Sequence, residues 1–442
     1  MKISADLELS ASKQEVEQWA DAAFDWLFDK IWTPAFKEAW FFEDFWKAGN
    51  ALDCMVNYWS VRKPSQDRIK KLQTMLDQAF QTFTTDDPDR QRRHWRDDYG
   101  WWGNAFVTLY KNAKAIGIDD STKQYCAIKA KLCWTVLELS AKDSESDTNP
   151  DHKYLGAGYA AWNNGSLSDY LNGPLKTEYT PNTVTNLGFW ALSLGIFENI
   201  DSNAAYFTAA RKTFDWFYSF QEQDYFLFNP YDLIVETVNS NAHPAWCKPN
   251  RPELKPDPRA WSADQGVFLY NLRKTLKYAY QYDPLNLPPC VIDAITHLYK
   301  AFMTYSVCIS PDDHIFREYE TDPAAGGNSS NFNHNYATGP GVFMRYAGLS
   351  IPLLNNDVDG DDSMKQILSR TINASAASAW ANQNDFNPGQ IFCWDVKAPM
   401  LSELYKRNYD GQERDTQSAF EFAFQTAALD LFVAWLRLYS ES

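Results

Sequence analysis

The sequence predicts an all-α protein, an (α/α)6 barrel of six helical hairpins with its long loops at one rim. Apolar residues recur at i, i+3, i+4 and i+7 along the whole chain, the spacing of helices that bury one face. The connections between these segments alternate in length, which separates one end of the molecule from the other. No fixed period of about 34–47 residues repeats, as a helical solenoid would require.

Twelve helices are expected, at 13–32, 43–60, 64–86, 95–115, 120–142, 181–199, 202–221, 261–280, 288–307, 339–349, 361–381 and 415–440. In the first, Trp19, Ala22, Ala23, Trp26, Leu27 and Ile31 form one apolar stripe and Ser12 offers an N-cap. The last places Ala419, Phe422, Ala423 and Thr426 on a small, mixed face. Extended pieces are few, with 225–238 and 312–320 reading as short hairpin strands inside long loops. Links leaving an even-numbered helix are short: 61–63, 116–119, 200–201, 281–287 and 350–360. The long ones, about 143–180, 222–260, 308–338 and 382–414, all enter an even-numbered helix. Short links make neighbouring helices antiparallel, so the long loops gather at the end that holds the N-termini of the even helices. Six even helices then lie inside and six odd ones outside. Loops beyond about 15 residues in a compact domain usually carry function. Because these are rich in Trp, Tyr, Asn, Asp and Gly, they read as site-forming. No linker divides the chain, so a single catalytic domain spanning 1–442 is expected.

Composition narrows the function. The formal net charge of −16 argues against nucleic-acid binding, which rests on Lys and Arg, and against anionic membrane surfaces. No stretch has the roughly 18 uninterrupted apolar residues of a membrane helix. The first residues lack the apolar core of a signal peptide, so a cytoplasmic protein is expected, or a secreted one if a leader was removed. The aromatic share is 16%, with 18 Trp and 24 Tyr, a surplus that suits a carbohydrate groove or a broad contact surface. Seven scattered Cys show no CxxC spacing and six His show no ligand spacing, so neither a metal nor a cofactor is expected. Asn355 to Gly360 begins like a calcium loop, but Gln366 stands where the closing Glu belongs; the segment reads as a helix cap.

The densest chemistry lies in Trp95-Arg96-Asp97-Asp98-Tyr99-Gly100-Trp101-Trp102-Gly103-Asn104-Ala105-Phe106. Adjacent Asp residues repel one another and are mediocre helix formers. Asp97 and Asp98 are either early-turn acids stabilised by the helix N-terminus or the paired acids of a sugar-cleaving site, which also needs apolar ring faces. Their position, on an inner helix at the decorated rim, favours the second. Consecutive helical side chains diverge by about 100°, which puts the carboxyls roughly 5–9 Å apart; that range brackets both retaining and inverting geometries. Between Gly156 and Gly165, Trp162 and Asn163 could meet a sugar, or Trp162 could be a buried turn residue. Asn182 and Asn186 share a helix face, with one of them a candidate cap. Asp264 and Gln265 open the eighth helix, where Asp264 could equally be an early-turn acid. Arg345 needs a carboxylate partner if it is buried.

Taken together these motifs resemble glycoside hydrolase family 76, the endo-α-1,6-mannanases and their fungal cell-wall relatives. The resemblance rests on Asp97-Asp98 with Gly100-Trp101-Trp102, on Gly156 to Trp162, and on Asn182 to Asn186. Trp261 with Gln265-Gly266-Val267, and Gly341 to Tyr346, follow in the family's order, across roughly residues 46 to 440. It implies an (α/α)6 barrel that hydrolyses α-linked sugars with retention, foremost α-1,6-mannan or manno-oligosaccharides. It further implies Asp97 as nucleophile and Asp98 as general acid/base, with Trp102, Trp162, Asn163, Asn182, Asn186, Asp264, Gln265 and Arg345 holding the substrate. The expected partner is an oligosaccharide or polysaccharide, met by a monomer. Thr180-Pro181-Asn182 stands where the family commonly has Tyr-Lys-Asn. Asp264 stands where Asn is frequent, and Gly339-Pro340-Gly341 replaces Phe-Lys-Gly. These departures touch substrate contacts rather than the acids. Two other readings fit the sequence: a different (α/α)6 carbohydrate enzyme (epimerase, lyase or transglycosidase), or a non-catalytic glycan-binding protein. An epimerase or lyase would call on His or Tyr for proton transfer.

Overall fold

The computed structural model describes residues 11–32, 45–82, 96–146, 159–161, 182–222, 234, 260–282, 289–304, 309, 313–316, 318, 336–381 and 415–441. Among the described residues there are twelve α-helices. They are α1 (Lys13–Trp26), α2 (Phe45–Val61), α3 (Gln66–Thr82), α4 (Arg96–Ile116), α5 (Asp120–Ser146) and α6 (Thr183–Asn199). They continue as α7 (Ala204–Glu222), α8 (Ser262–Tyr282), α9 (Pro289–Thr304), α10 (Gly339–Ser350), α11 (Asp361–Ala381) and α12 (Asp415–Glu441). Each falls on a segment that the periodicity marks as helical. A π-helical stretch, Leu27–Trp32, continues α1. Among the described residues the extended structure reduces to single bridge residues, with Ile309 and Phe316 paired antiparallel. Apart from Ile234, the expected 225–238 strands lie outside the described residues. The fold is all-α, built of packed helical hairpins of the (α/α)6 type. Among the described residues no helix is long and apolar enough to cross a membrane.

The chain divides into two compact units. One comprises Trp40–Leu227 and Val235–Asp257 and contains α2 to α7. Here α2, α4 and α6 pack side by side in that order. Phe45 of α2 meets Trp102 of α4, while Gly188, Leu192 and Gly195 of α6 lie against Gly100, Gly103 and Val107 of α4. Residue numbers rise together across the second contact, so α4 and α6 run parallel. The tightest point is Gly100 against Gly188, where a Cβ on either would lie 3.3 Å from the other's Cα; only glycine lets the two backbones approach so closely. Asn104 bolts that crossing by donating to the carbonyls of Gly100 (2.8 Å) and Gly188 (3.0 Å). Helix α2 is buried from Phe45 to Trp59 except at Trp46, polar residues included, whereas α3, α5 and α7 each leave a face exposed. Even helices are therefore inner and odd ones outer, because only the outer helices need an amphipathic pattern.

Short links close the hairpins by local chemistry. After α4, Gly117 adopts a left-handed φ of 91°, and the N–H groups of Gly117 and Ile118 both donate to Ala113 O at 2.9 Å. This is a glycine-terminated helix end, and α5 starts three residues later. In α1, the Ser12 hydroxyl accepts from Glu15 N and the Glu15 carboxylate accepts from Ser12 N, so the expected N-cap is a full capping box.

The other unit comprises Met1–Ala39, Phe228–Ile234 and Pro258–Ser442, with α1 and α8 to α12. Its even helices repeat the arrangement. Gly266 and Tyr270 of α8 meet Phe343 and Tyr346 of α10, and Gly341 and Gly348 of α10 meet Ala427 and Ala434 of α12. All three run parallel. Buried charges tie the unit together. Arg345 of α10 makes a two-pronged bond to Asp430 of α12 at 2.8 and 2.6 Å. Arg273 of α8 reaches Asp361 of α11 at 3.1 and 3.0 Å, and also Leu353 O and Asn355. Tyr299 of α9 donates to the same Asp361 at 2.8 Å. The segment that begins like a calcium loop is thus pinned by Arg273 at Asn355 and, just beyond it, at Asp361, and leads into α11. Within each unit the even helices share a direction and short links leave their C-termini, so the long connections lead to the end that carries their N-termini.

Candidate active site

Asp97 and Asp98 occupy the first turn of inner helix α4. Asp98 is 4% exposed and Asp97 is part-buried. The Oδ1 atom of Asp97 is itself buried and accepts no hydrogen bond. Burial accordingly raises the Asp97 carboxyl from 3.8 to about 6, against the N–H groups of Asp97 and Asp98, which pull it down. Two forces oppose each other here: loss of water favours the neutral acid, and the helix N-terminus favours the carboxylate. The result is a carboxyl that changes charge within the working pH range of an enzyme, beside a second carboxyl on the next residue.

Trp101 and Trp102 follow this turn on α4 and have different surroundings. Trp102 has no exposed surface. Its indole N–H donates to Phe45 O at 2.9 Å, and its ring packs on Phe45 and Phe106. Gly49 of α2 makes room for it, because a Cβ there would lie 3.0 Å from the indole. Trp101 is 9% exposed and its ring centroid lies 5.5 Å from that of part-exposed Trp46 of α2, at 40°. Trp101 follows Asp97 by four residues, so both lie on one face of α4.

Five of the expected sugar contacts have partners inside the protein. Trp102 is a core side chain joining α2 to α4. Asn186 is fully buried, accepting from Ala161 N (2.8 Å) and donating to Ala161 O (3.1 Å) and Asn182 O (2.9 Å). Gln265 does the same in the other unit, accepting from Ile234 N (2.9 Å) and donating to Ile234 O (2.9 Å) and Trp261 O (3.1 Å). Each of these amides imitates a strand partner and fastens a loop residue to the first turns of an inner helix. Arg345 is 1% exposed and spends its guanidinium on Asp430, the carboxylate partner that its burial demands. Asn182 is the N-cap of α6, accepting from Thr185 N at 3.0 Å. Asp264 stands in the first turn of α8, 1% exposed. Trp162 and Asn163 lie outside the described residues, directly after the Ala161 that Asn186 holds.

Sequence reasoning missed several residues of the inner helices. On α2, Asn50, Asp53 and Asn57 are buried polar residues at i, i+3 and i+7, with Asn57 donating to Asp53 Oδ1 at 3.0 Å. Polar residues at helical spacing in an otherwise apolar inner helix were the available signal. Glu318 is 3% exposed and caps the start of α8 by accepting from Ser262 N (3.0 Å) and the Ser262 hydroxyl. Its local sequence, a charged extended run, gave no hint of this. Among the described residues no group of three or more His, Cys, Asp or Glu could hold a metal ion.

No protein-family model matches the chain, and no curated protein matches it. Solved structures do. An inactive α-1,6-mannanase variant from Salegentibacter sp. HEL1_6, with two consecutive aspartates replaced by asparagine and α-1,6-mannotriose bound, aligns with a TM-score of 0.62. It is 12% identical, over 95% of this chain and 99% of that one. Dfg5 from Chaetomium thermophilum, in complex with glucosamine, aligns at 0.63 with 15% identity, over 97% and 92% of the two chains. A possible member of the GH105 family from Salmonella enterica serovar Paratyphi A aligns at 0.55 with 12% identity, over 98% and 96%. These likenesses show the fold: an all-α architecture of packed helical hairpins of the (α/α)6 type.

Proposed function

We propose that the protein is a retaining glycoside hydrolase acting on α-linked sugars, foremost α-1,6-linked mannose, with the whole chain as one catalytic domain. The observation that carries the reading is the Asp97–Asp98 pair: adjacent acids at the N-terminus of an inner helix, one of them held near 6 by burial. A glycosidase needs one carboxyl ionised and one able to donate a proton; Asp97, raised by burial to about 6, ionises above that pH, and the buried Asp98 stands next to it. The solved mannanase that shares the fold was made inactive by changing two consecutive aspartates, which supports the same assignment.

In this reading the Asp97 carboxylate attacks the anomeric carbon as the glycosidic C–O bond breaks, and Asp98 gives its proton to the departing oxygen. Water then attacks the glycosyl ester. Asp98 takes the water's proton, the Asp97–sugar bond breaks, and the product keeps its anomeric configuration. The test is hydrolysis of α-1,6-mannotriose and α-1,6-mannan by the wild type and by Asp97→Asn and Asp98→Asn, with product anomers followed by NMR. The expected result is turnover with retention in the wild type and a loss of at least ~10³-fold in each variant. Near-wild-type turnover in both variants would sink the assignment.

A further inference from the structure

We propose that the outward face of α5 is a self-association surface, on which a second copy of this chain docks with its own α5 antiparallel, in place of the monomer expected from sequence. An outer helix of this fold needs one apolar face, the one turned toward the inner helices. Helix α5 has two. Cys126, Ala130, Cys133, Trp134, Leu137 and Ala141 form the buried one. On the opposite side Tyr125, Ile128, Leu132, Val136 and Leu139 line up within about 80° of arc over about four turns.

Exposure, symmetry and charge all point to this occupant. Tyr125 is 42%, Ile128 58% and Leu139 57% exposed, with Leu132 and Val136 half-buried between them. Among the described residues Tyr439 alone of the other large apolar side chains is as open. A helix that is apolar on both faces belongs between two partners. The stripe also reads the same in both directions. Its positions are spaced 3, 4, 4 and 3 residues apart, so that Ile128 and Val136 flank Leu132 at four residues and Tyr125 and Leu139 at seven. A two-fold contact brings one patch against itself. An antiparallel pair centred on Leu132 therefore sets Tyr125 across from Leu139, Ile128 across from Val136, and Leu132 across from its own counterpart. Steps of three and four are those by which paired helices interlock their side chains. The charges beside the stripe are already engaged within the molecule. Lys131 meets Asp201 at 2.6 Å and Lys142 meets Glu138 at 2.8 Å, and the Lys129 ammonium lies 5.5 Å from the Tyr125 ring centroid. They neither call for a charged partner nor repel a like one.

The contact is modest in size. A helix pair roughly 21 Å long and ~10 Å wide covers a few hundred Å² per partner, less than the ~800 Å² of a stable complex. The dimer is therefore reversible, with a dissociation constant no tighter than about 1 µM. The net charge of −16 opposes the meeting of two copies. Salt screens that repulsion and strengthens an apolar contact, the reverse of its effect on a dimer built from ion pairs.

The test is sedimentation equilibrium of the full chain between ~5 and ~300 µM. The mass is expected to rise from 50.8 kDa toward twice that value, with association at least ~3-fold tighter in ~500 mM than in ~50 mM NaCl. Ile128→Lys and Leu139→Lys are each expected to weaken it at least ~10-fold with the melting temperature unchanged. Lysine lowers the net negative charge, so the loss cannot come from added overall repulsion. Ala115→Lys, at an exposed position of α4, is expected to leave association as it was. Oxidation with diamide tests the register, with the unsubstituted chain as the blank for its native cysteines. Leu132→Cys is expected to give a disulfide-linked dimer. Tyr125→Cys is not, because its two copies stand roughly 21 Å apart, beyond disulfide reach. A monomer mass across the whole range, or a dimer that both lysine variants leave intact, overturns the proposal. Cross-linking through Tyr125→Cys but not Leu132→Cys overturns the antiparallel pairing and the proposal with it.

Discussion

Replacing Asp97 by asparagine is expected to make the protein more stable at neutral pH while abolishing its activity. The unfolded chain holds this carboxyl at its ordinary 3.8, and the folded chain at about 6. Because the folded value is the higher one, the folded state binds the proton more tightly. Below 3.8 the group is neutral in both states and costs nothing. Between 3.8 and about 6 the unfolded chain releases the proton while the folded chain retains it, so folding grows less favourable. Above about 6 the full penalty applies. At ~1.4 kcal/mol per pH unit the difference amounts to about 3 kcal/mol. Asparagine keeps the shape and carries no charge. Urea denaturation followed by tryptophan fluorescence should therefore show Asp97→Asn more stable by about 3 kcal/mol at pH 7.5. At pH 4 the gain should fall well below ~1 kcal/mol. No gain at pH 7.5, or an equal gain at both pH values, would refute the claim that burial destabilises the Asp97 carboxylate. A site residue that lowers the stability of its own fold is the usual mark of function placed above packing.

The same displaced carboxyl sets the pH profile. If Asp97 is the nucleophile it must be ionised, so kcat/KM should rise through about 6; a fall through that pH would instead make Asp97 the proton donor and exchange the two roles. In the other unit, Arg345→Met leaves Asp430 buried and unpaired, at an expected cost of about 3–5 kcal/mol, and adding Asp430→Leu should restore most of it. Urea melts of the two single variants and the double variant decide, and a single-variant loss below ~1 kcal/mol would remove the pair from the account of that unit. Asn186→Leu strips both bonds from Ala161 and is expected to cost about 1–3 kcal/mol. It should lower turnover beyond what that destabilisation explains at 25 °C, because the residues after Ala161 lose their anchor; full activity in a folded variant would show that the loop is placed by something else.

Much of the fold could be read from local pattern. Helix positions follow from apolar periodicity, as in α1, where the Ser12 cap is as expected and Trp19, Ala23 and Leu27 of the expected stripe are buried. Ala22 and Trp26 are half-buried, and Val16, Ala20, Phe24 and Phe28 complete the buried face. The sorting of even helices inward and odd helices outward follows from the lengths of the connections, since a three-residue link such as 117–119 permits only an antiparallel neighbour. The paired acids were legible for a related reason. Asp97 and Asp98 open an even-numbered helix, at the end where the long connections enter, so their position along the chain already says where they lie. The amides were legible only in part. Asn182 and Asn186 could be placed on one face of α6, but not which backbone groups they would hold, because Ala161 is 25 residues distant from Asn186.

What the sequence by itself determined is therefore whatever depends on neighbours in the chain: the twelve helices, their alternation, and Asp97 and Asp98 at the N-terminus of an inner one. The different surroundings of Trp101 and Trp102 were decided only by tertiary structure. The two residues have the same chemistry and adjoin in sequence, and they differ by ~100° around one helix. Which of those directions meets Phe45 and Gly49, and which meets Trp46, depends on where α2 packs, and α2 ends 35 residues before α4 begins. The same holds for Arg345, Asn186 and Gln265, whose side chains look like ligand-binding groups in isolation. A buried polar group takes the nearest partner that satisfies it, and only packing brings Asp430, Ala161 and Ile234 within reach.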